Sequence, residues 1–217
     1  MTTETVTINQ APLLLERAVL KAALFCASEK ETQYYLKGVL IDPAGYVVAT
    51  DGYRMFVAKF DPQGDLEPNQ TRAPFEPFII HRDTLKRALS TKSPNALINV
   101  SPTEIGDTKA QIIEASYPGW RRGVPRTLSK DPKPASFNPL YLADFAKAAT
   151  EMTGGRAKRC ASNNPGFTLH QNGDDPALIT FSGREDCLAV LMPYRSDASD
   201  PHARAKAARI AEDFATC

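Results

Sequence analysis

One order of elements is legible three times along this chain, and that repeat constrains the fold more than any single motif. Thr5 to Ile8 alternates like a strand. From Ala11 to Ser28 the pattern turns helical, with Leu15, Val19, Ala22 and Cys26 on one face and Arg17 and Lys21 on another. The stretch YYLKGVLIDPAGYVVATDGYRMFVAKF, residues 34 to 60, then reads as three strands. Leu36, Val39 and Ile41 mark the first, Tyr46 to Thr50 the second and Met55 to Phe60 the third. Pro43-Ala44-Gly45 supplies one hairpin turn and Asp51-Gly52 the next. The unit is therefore a strand, a helix and a meander of three antiparallel strands.

After a polar, proline-bearing connector from Asp61 to Pro77, the order recurs. Phe78 to His81 reads as a strand, and Arg82 to Thr91 as a helix carrying Leu85, Ala88 and Leu89. Ala96 to Val100, Glu104 to Gly106 and Ala110 to Ala115 follow as strands, and Tyr117 to Pro134 forms a second connector. The third unit starts at Ala135-Ser136-Phe137. Asn138-Pro139 opens its helix, Leu142, Phe145, Ala146 and Ala149 form the expected buried stripe, and Gly154-Gly155 stops it. Strands are expected near 157–162, 166–171, 177–182 and 186–192. Such repeats predict an α+β fold with helices packed on one side of antiparallel sheets.

Composition narrows the function. At 217 residues, 42% apolar and 24% charged, the chain can bury an ordinary globular core. A formal charge of +1 gives no bulk attraction to nucleic acid, so any DNA contact needs locally sorted charge. MTTETVTINQ lacks an apolar secretion signal, and no apolar run approaches the roughly 20 residues that span a bilayer. The expected location is the cytoplasm. Cys26, Cys160, Cys187 and Cys217 lie far apart without a CxxC pair, which suits reduced thiols and no zinc. His81, His170 and His202 are scattered and accompany no hydrolase, zinc-protease or P-loop pattern. Gly154-Gly155-Arg156 reads as a helix stop, and Asp174-Asp175 as a turn. No catalytic residue, metal ligand or cofactor is expected.

Five short motifs, taken in order, resemble the bacterial DNA polymerase III beta subunit family, the sliding clamps. They are Tyr34-Tyr35-Leu36-Lys37-Gly38, Thr50-Asp51-Gly52-Tyr53-Arg54, Tyr117-Pro118-Gly119-Trp120 leading to Val124-Pro125-Arg126, Phe137-Asn138-Pro139-Leu140-Tyr141-Leu142, and Leu191-Met192-Pro193-Tyr194-Arg195. Full-length clamps have three domains of two units each. The three units here resemble a middle domain (1–126) joined to the closing half of the last domain (127–195), followed by a tail at 196–217. Pro201 opens a helical pattern in that tail, with Ala205, Ala208 and Ala211 on one face. Tyr53 stands where clamps commonly carry His.

The resemblance implies a pocket for short linear peptides of the QLxLF type, carried by DNA polymerases and repair proteins. The matching positions are Leu36, Thr50, Gly52, Tyr53, Arg54, Met55, Pro125, Val190, Leu191, Met192, Pro193, Tyr194 and Arg195. Met55, Val190 and Met192 also read as core residues at strand ends, and the Asp51-Gly52 knot as a plain tight turn. The resemblance further implies helices facing duplex DNA through its phosphates. Arg17, Lys21, Arg82, Lys86, Arg87 and Lys147 are the candidates, opposed by Glu16, Asp83 and Asp144. Two functions follow: a homo-oligomeric clamp that encircles DNA, or a stand-alone module that recruits or competes for clamp-binding proteins. A clamp ring contains twelve units, which four copies of a three-unit chain would supply.

Overall fold

A computed structural model of the protein describes residues 6–8, 12–64, 66–67, 70–90, 96–154 and 165–194. The first unit contains β1 (Val6–Ile8), β2 (Leu13–Glu16), α1 (Arg17–Leu24), β3 (Gly38–Asp42), β4 (Tyr46–Thr50) and β5 (Arg54–Lys59). A short β6 (Gln70–Arg72) pairs in parallel with β1, within what the sequence presents as a connector. The second unit contains β7 (Phe78–His81), α2 (Arg82–Ser90), β8 (Leu97–Val100), β9 (Glu104–Ile105) and β10 (Thr108–Lys109). The third contains α3 (Pro139–Thr153), β11 (Phe167–His170), β12 (Ala177–Phe181) and β13 (Arg184–Leu191). The strand expected at 157–162, the helical tail from Pro201 and Arg195 lie outside the described residues.

The helix expected from Ala11 begins only at Arg17. Leu13-Leu14-Leu15-Glu16 is instead a strand, paired antiparallel with β8 from Leu13 opposite Val100 to Glu16 opposite Leu97. Three consecutive leucines satisfy a period of 2 as well as one of 3.6, so the sequence alone leaves the choice open. The β8 ladder decides it, burying Leu13 and Leu15 while Leu14 and Glu16 face out. α1 also stops short of Ser28. The amides of Cys26 and Ala27 donate to Ala23 and Leu24, a tightening turn at the helix end. Leu36 closes a pair of tight turns (Glu31–Leu36) rather than opening β3. Gly38 then opens β3, where a side chain would press within 2.7 Å of the Ile80 carbonyl oxygen on β7.

In α3, Asn138 accepts the Leu140 amide, Pro139 occupies the first turn, and Gly154 caps the end at φ 63°. The buried stripe is Phe145, Ala148, Ala149 and Met152: Phe145 and Ala149 are buried as expected, whereas Leu142 is half-buried and Ala146 exposed. The expected strand at Ala110 to Ala115 is an extended run laid along β7. There His81 donates to Gln111 at 2.9 Å, Ile113 donates to Ile79 at 2.8 Å, and Ile112 bridges Ile80. The expected strand at Ala135 to Phe137 reduces to one bridge, Ser136 to Tyr194.

The first two units exchange the strands that precede their helices. β2 completes the four-stranded sheet β10-β9-β8-β2, and β7 completes a seven-stranded sheet, β11-β12-β13-β5-β4-β3-β7. The larger sheet takes strands from both sides of residue 126 because β5 and β13 pair antiparallel, Arg54 opposite Leu191 through Ala58 opposite Cys187. α1 packs between α2 and α3. Alternation along β4 sorts the interior into two layers. Val47 and Ala49 join the helix-side core with Phe56, Phe145 and Phe181, while Val48 joins Leu40, Met55, Val57, Ile79 and Val190 on the other face. That second layer is covered by Ile113, Tyr117, Trp120 and Val124, so the start of the second connector is a lid over the sheet and not a free loop. All antiparallel sheets carry their helices on one side, an α+β fold.

Candidate functional site

The knot Thr50-Asp51-Gly52-Tyr53-Arg54 is held by its own side chains. Asp51 Oδ1 accepts the amides of Tyr53 at 2.9 Å and Arg54 at 3.0 Å. Thr50 Oγ1 donates to the Arg54 carbonyl at 2.7 Å and accepts the Gly52 amide at 3.1 Å. Gly52 sits at φ 89°, a conformation that glycine adopts without strain. Thr, Asp and Gly are thus each required by the turn geometry. One consequence is that Tyr53 projects with 52% of its surface exposed.

The end of β13 meets this turn. The Met192 amide donates to the Tyr53 carbonyl at 2.8 Å, and Met55 stands opposite Val190 in the β5–β13 ladder. Thr50 to Met55 and Val190 to Pro193, more than 130 positions apart in sequence by rough count, therefore share one seam. Gly123 joins them: a side chain there would lie 3.6 Å from the Met55 Cε. Of the positions named by the resemblance, Gly52, Tyr53, Met192 and Tyr194 are exposed, and Thr50, Arg54, Pro125 and Pro193 are half-buried. Met55, Val190, Leu36 and Leu191 are buried, the first two forming the floor under Tyr117, Trp120 and Val124, and Leu191 facing the helix-side core.

Arg54 is committed to partners. Its Nε donates to Asp51 Oδ2 at 3.0 Å and its Nη1 to Asp144 Oδ2 at 2.6 Å, while the guanidinium stacks 4.3 Å from the Tyr141 ring centre. Burial is the largest single effect and works against the Arg54 charge, but the Asp144 hydrogen bond together with the nearby negative charges outweighs it and holds the guanidinium above its ordinary range. Partial burial likewise opposes ionisation of Asp144, yet the bonds from Arg54 and Lys147 hold that carboxyl below the usual carboxylate range. Asp144 and Tyr141 carry no local sequence signal for this site, because their partner lies 90 positions away. Trp120 could be anticipated as a cover only through its motif. It packs 5.2 Å from Tyr46, and Arg121 lies over its ring while pairing with Asp42 at 3.1 Å.

The helix layer holds the six cations named for DNA. Arg17 donates to the Ala88 carbonyl at 3.1 Å, Lys21 pairs with Glu151 at 3.1 Å, Arg82 with Glu29 at 2.7 Å, and Lys147 with Asp144 at 2.8 Å. Lys86 and Arg87 are exposed. Lys21, Arg82 and Lys86 line one cleft of about 500 Å³ between the helices, together with Lys30, Glu29 and Glu151. Cys26 and Cys187 are free and buried, and burial pushes the Cys187 thiol up to about 12. Among the described residues no group of three metal-binding side chains comes together, and no helix is long and apolar enough to cross a membrane.

No family model matches the sequence, and no curated protein is similar to it in sequence. Solved structures do match. The beta sliding clamp of Caulobacter crescentus superimposes with a TM-score of 0.58 at 18% identity, over 85% of this chain and 65% of the clamp. The DnaN sliding clamp (DNA polymerase III subunit beta) of Bartonella birtlesii, solved bound to griselimycin, gives 0.57 at 19% identity, over 86% and 66%. The DNA polymerase III beta subunit of Thermotoga maritima gives 0.59 at 14% identity, over 88% and 67%. The chain spans just under two thirds of the first two clamps. The fold is that of the bacterial beta sliding clamp.

Proposed function

We propose that the chain is a non-catalytic, clamp-type accessory factor that holds replication and repair proteins by short linear peptides, docked where the 50–55 turn meets the end of β13. The observation that carries this reading is the β5–β13 seam. Along it the Met192 amide is bonded to the Tyr53 carbonyl, both of those side chains are exposed, and the buried Met55 and Val190 pair beside them, which supports docking of an apolar anchor at this end of the ladder. A peptide's apolar anchor gains about 1.5–3 kcal/mol when fully enclosed by such a surface. Met adapts its shape to varied anchors, which suits a site with several partners. Residues 1–126 then act as a clamp domain and 127–195 as a closing half-domain, working in the cytoplasm without cofactor or metal.

Titration of a labelled QLxLF-type peptide tests the site. Saturable binding is expected, and Met192→Ala or Tyr53→Ala should each weaken it by about 1–3 kcal/mol without unfolding the protein, since both side chains are exposed. Absence of saturable binding by the unmutated protein would refute the proposal.

The wider reading has the chain close into a homo-oligomeric ring around duplex DNA, with Arg17, Lys21, Arg82, Lys86, Arg87 and Lys147 toward the phosphates. Against it stands a non-encircling module. That second reading is favoured by the internal commitments of Arg17, Lys21, Arg82 and Lys147.

A further inference from the structure

The resemblance counts Arg54 among peptide-contacting positions, yet its side chain is only 11% exposed and is bonded to Asp51 and Asp144. Two of its nitrogens donate to carboxylates from different units. Asp51 Oδ2 belongs to the turn itself, and Asp144 Oδ2 belongs to α3 of the third unit. The other oxygen of Asp51 holds the Tyr53 and Arg54 amides, so a continuous chain of contacts runs from α3 through Asp144, Arg54 and Asp51 into the turn. Tyr141, three positions before Asp144 on α3, closes over the guanidinium face. Asp144 Oδ1 accepts Lys147 Nζ at 2.8 Å, which fixes the carboxylate in place. Charge-assisted bonds of this kind are short, directional and costly to break from one side when water is largely excluded.

We propose that Asp144 is a positioning residue for the peptide site. Acting through Arg54, it sets where the 50–54 turn stands relative to the end of β13, and Arg54 serves as a strut between units rather than as a peptide contact. This inference rests on the peptide-site reading and adds to it a residue from α3. The turn is tied to β13 through the backbone at its Arg54 end, where Arg54 stands opposite Leu191 and the Met192 amide donates to the Tyr53 carbonyl. The strut adds a side-chain tie to α3, and so holds the turn from the helix layer as well as from the sheet.

The test titrates a labelled QLxLF-type peptide into the full chain and its variants. Asp144→Asn should weaken binding about tenfold, mainly through faster dissociation, and Asp144→Glu should restore most of the loss. Arg54→Lys combined with Asp144→Asn should be no worse than Asp144→Asn alone, because both break one contact chain. Glu151→Gln removes a different ion pair of α3, with Lys21 on α1, and should leave affinity within about twofold. Amide hydrogen exchange should quicken at Tyr53 and Met192 in Asp144→Asn while Val48 and Phe56 stay protected, a pattern that general destabilisation does not produce. If Asp144→Asn does not fold, Tyr141→Leu carries the test with the same expected direction. Unchanged affinity in Asp144→Asn beside a binding wild type overturns the positioning role and leaves the site standing. No binding by the wild type overturns both.

Discussion

Two glycines divide the labour at the residue scale, and they differ in why no other residue serves. Gly52 has φ 89° and open space around it, so a side chain there costs only backbone strain. Gly38 has an ordinary φ but faces the Ile80 carbonyl oxygen at 2.7 Å, so a side chain there must push β7 off β3. Gly52→Ala should cost about 1–2 kcal/mol, the usual penalty for the left-handed region. Gly38→Ala should cost more, about 2–3 kcal/mol, since a backbone atom cannot step aside as a side chain can. Urea unfolding of the two variants checks the order. A larger loss at Gly52 would mean that the turn does more than its geometry shows.

At the scale of elements, the acid behaviour of two ion pairs is informative. Asp144 on α3 is held below its ordinary range: burial opposes its ionised form, but Arg54 and Lys147 outweigh it. Asp186 on β13 is held down first by its hydrogen bond from Arg184, which also reaches Glu16 at 2.9 Å. Each carboxylate therefore stays ionised in the folded chain at a pH where the unfolded chain binds a proton. Their contribution to stability is complete above the unfolded value near 4 and is lost as pH falls below it. Stability measured by thermal melting should be level from about pH 5 to 7 and fall on the acid side. Asp144→Asn should lower the plateau and make the acid limb shallower. An acid limb of unchanged slope would show that Asp144 is not the group responsible.

The same scale shows what the sequence could and could not disclose. β3, β4 and β5 were legible because alternating apolar residues are punctuated by Pro-Ala-Gly and Asp-Gly, and α3 because Asn138-Pro139 and Gly154 mark its ends. The three leucines at 13–15 fit two periods at once, and only the pairing with β8 resolves them. The ends of the repeats were similarly hidden, because β2 and β7 pair in each other's unit rather than in their own. For the candidate site, local pattern gave the turn and the strand end, but their junction depends on the β5–β13 ladder. The inward turn of Arg54 depends on Asp144, 90 positions away, which local reading placed among acids opposing DNA contact.

For the whole molecule, the exchange of the strands before α1 and α2 makes the first two units one body, and the β5–β13 ladder attaches the third. The second unit ends in a short strand, β10, of two residues, whereas the first and third units meet through five paired positions. A sheet edge that short, carrying Lys109, resembles the blunted edges that discourage pairing with another chain. The homo-oligomeric ring and the stand-alone module are separated by mass: light scattering at high micromolar concentration should give a tetramer, with a closed dimer as the runner-up, if the chain encircles DNA. A clean monomer rules out encirclement and leaves the peptide-binding module intact. Either result is compatible with a peptide site, because the seam that forms it lies within one chain. The central claim is therefore tested most directly by mapping a bound QLxLF-type peptide onto the protein, by crystal structure or by amide chemical-shift changes. The account predicts that the peptide lies against Tyr53 and Met192, with its apolar anchor toward Met55 and Val190. A peptide bound elsewhere, as in the cleft beside Tyr46 and Trp120, would contradict it.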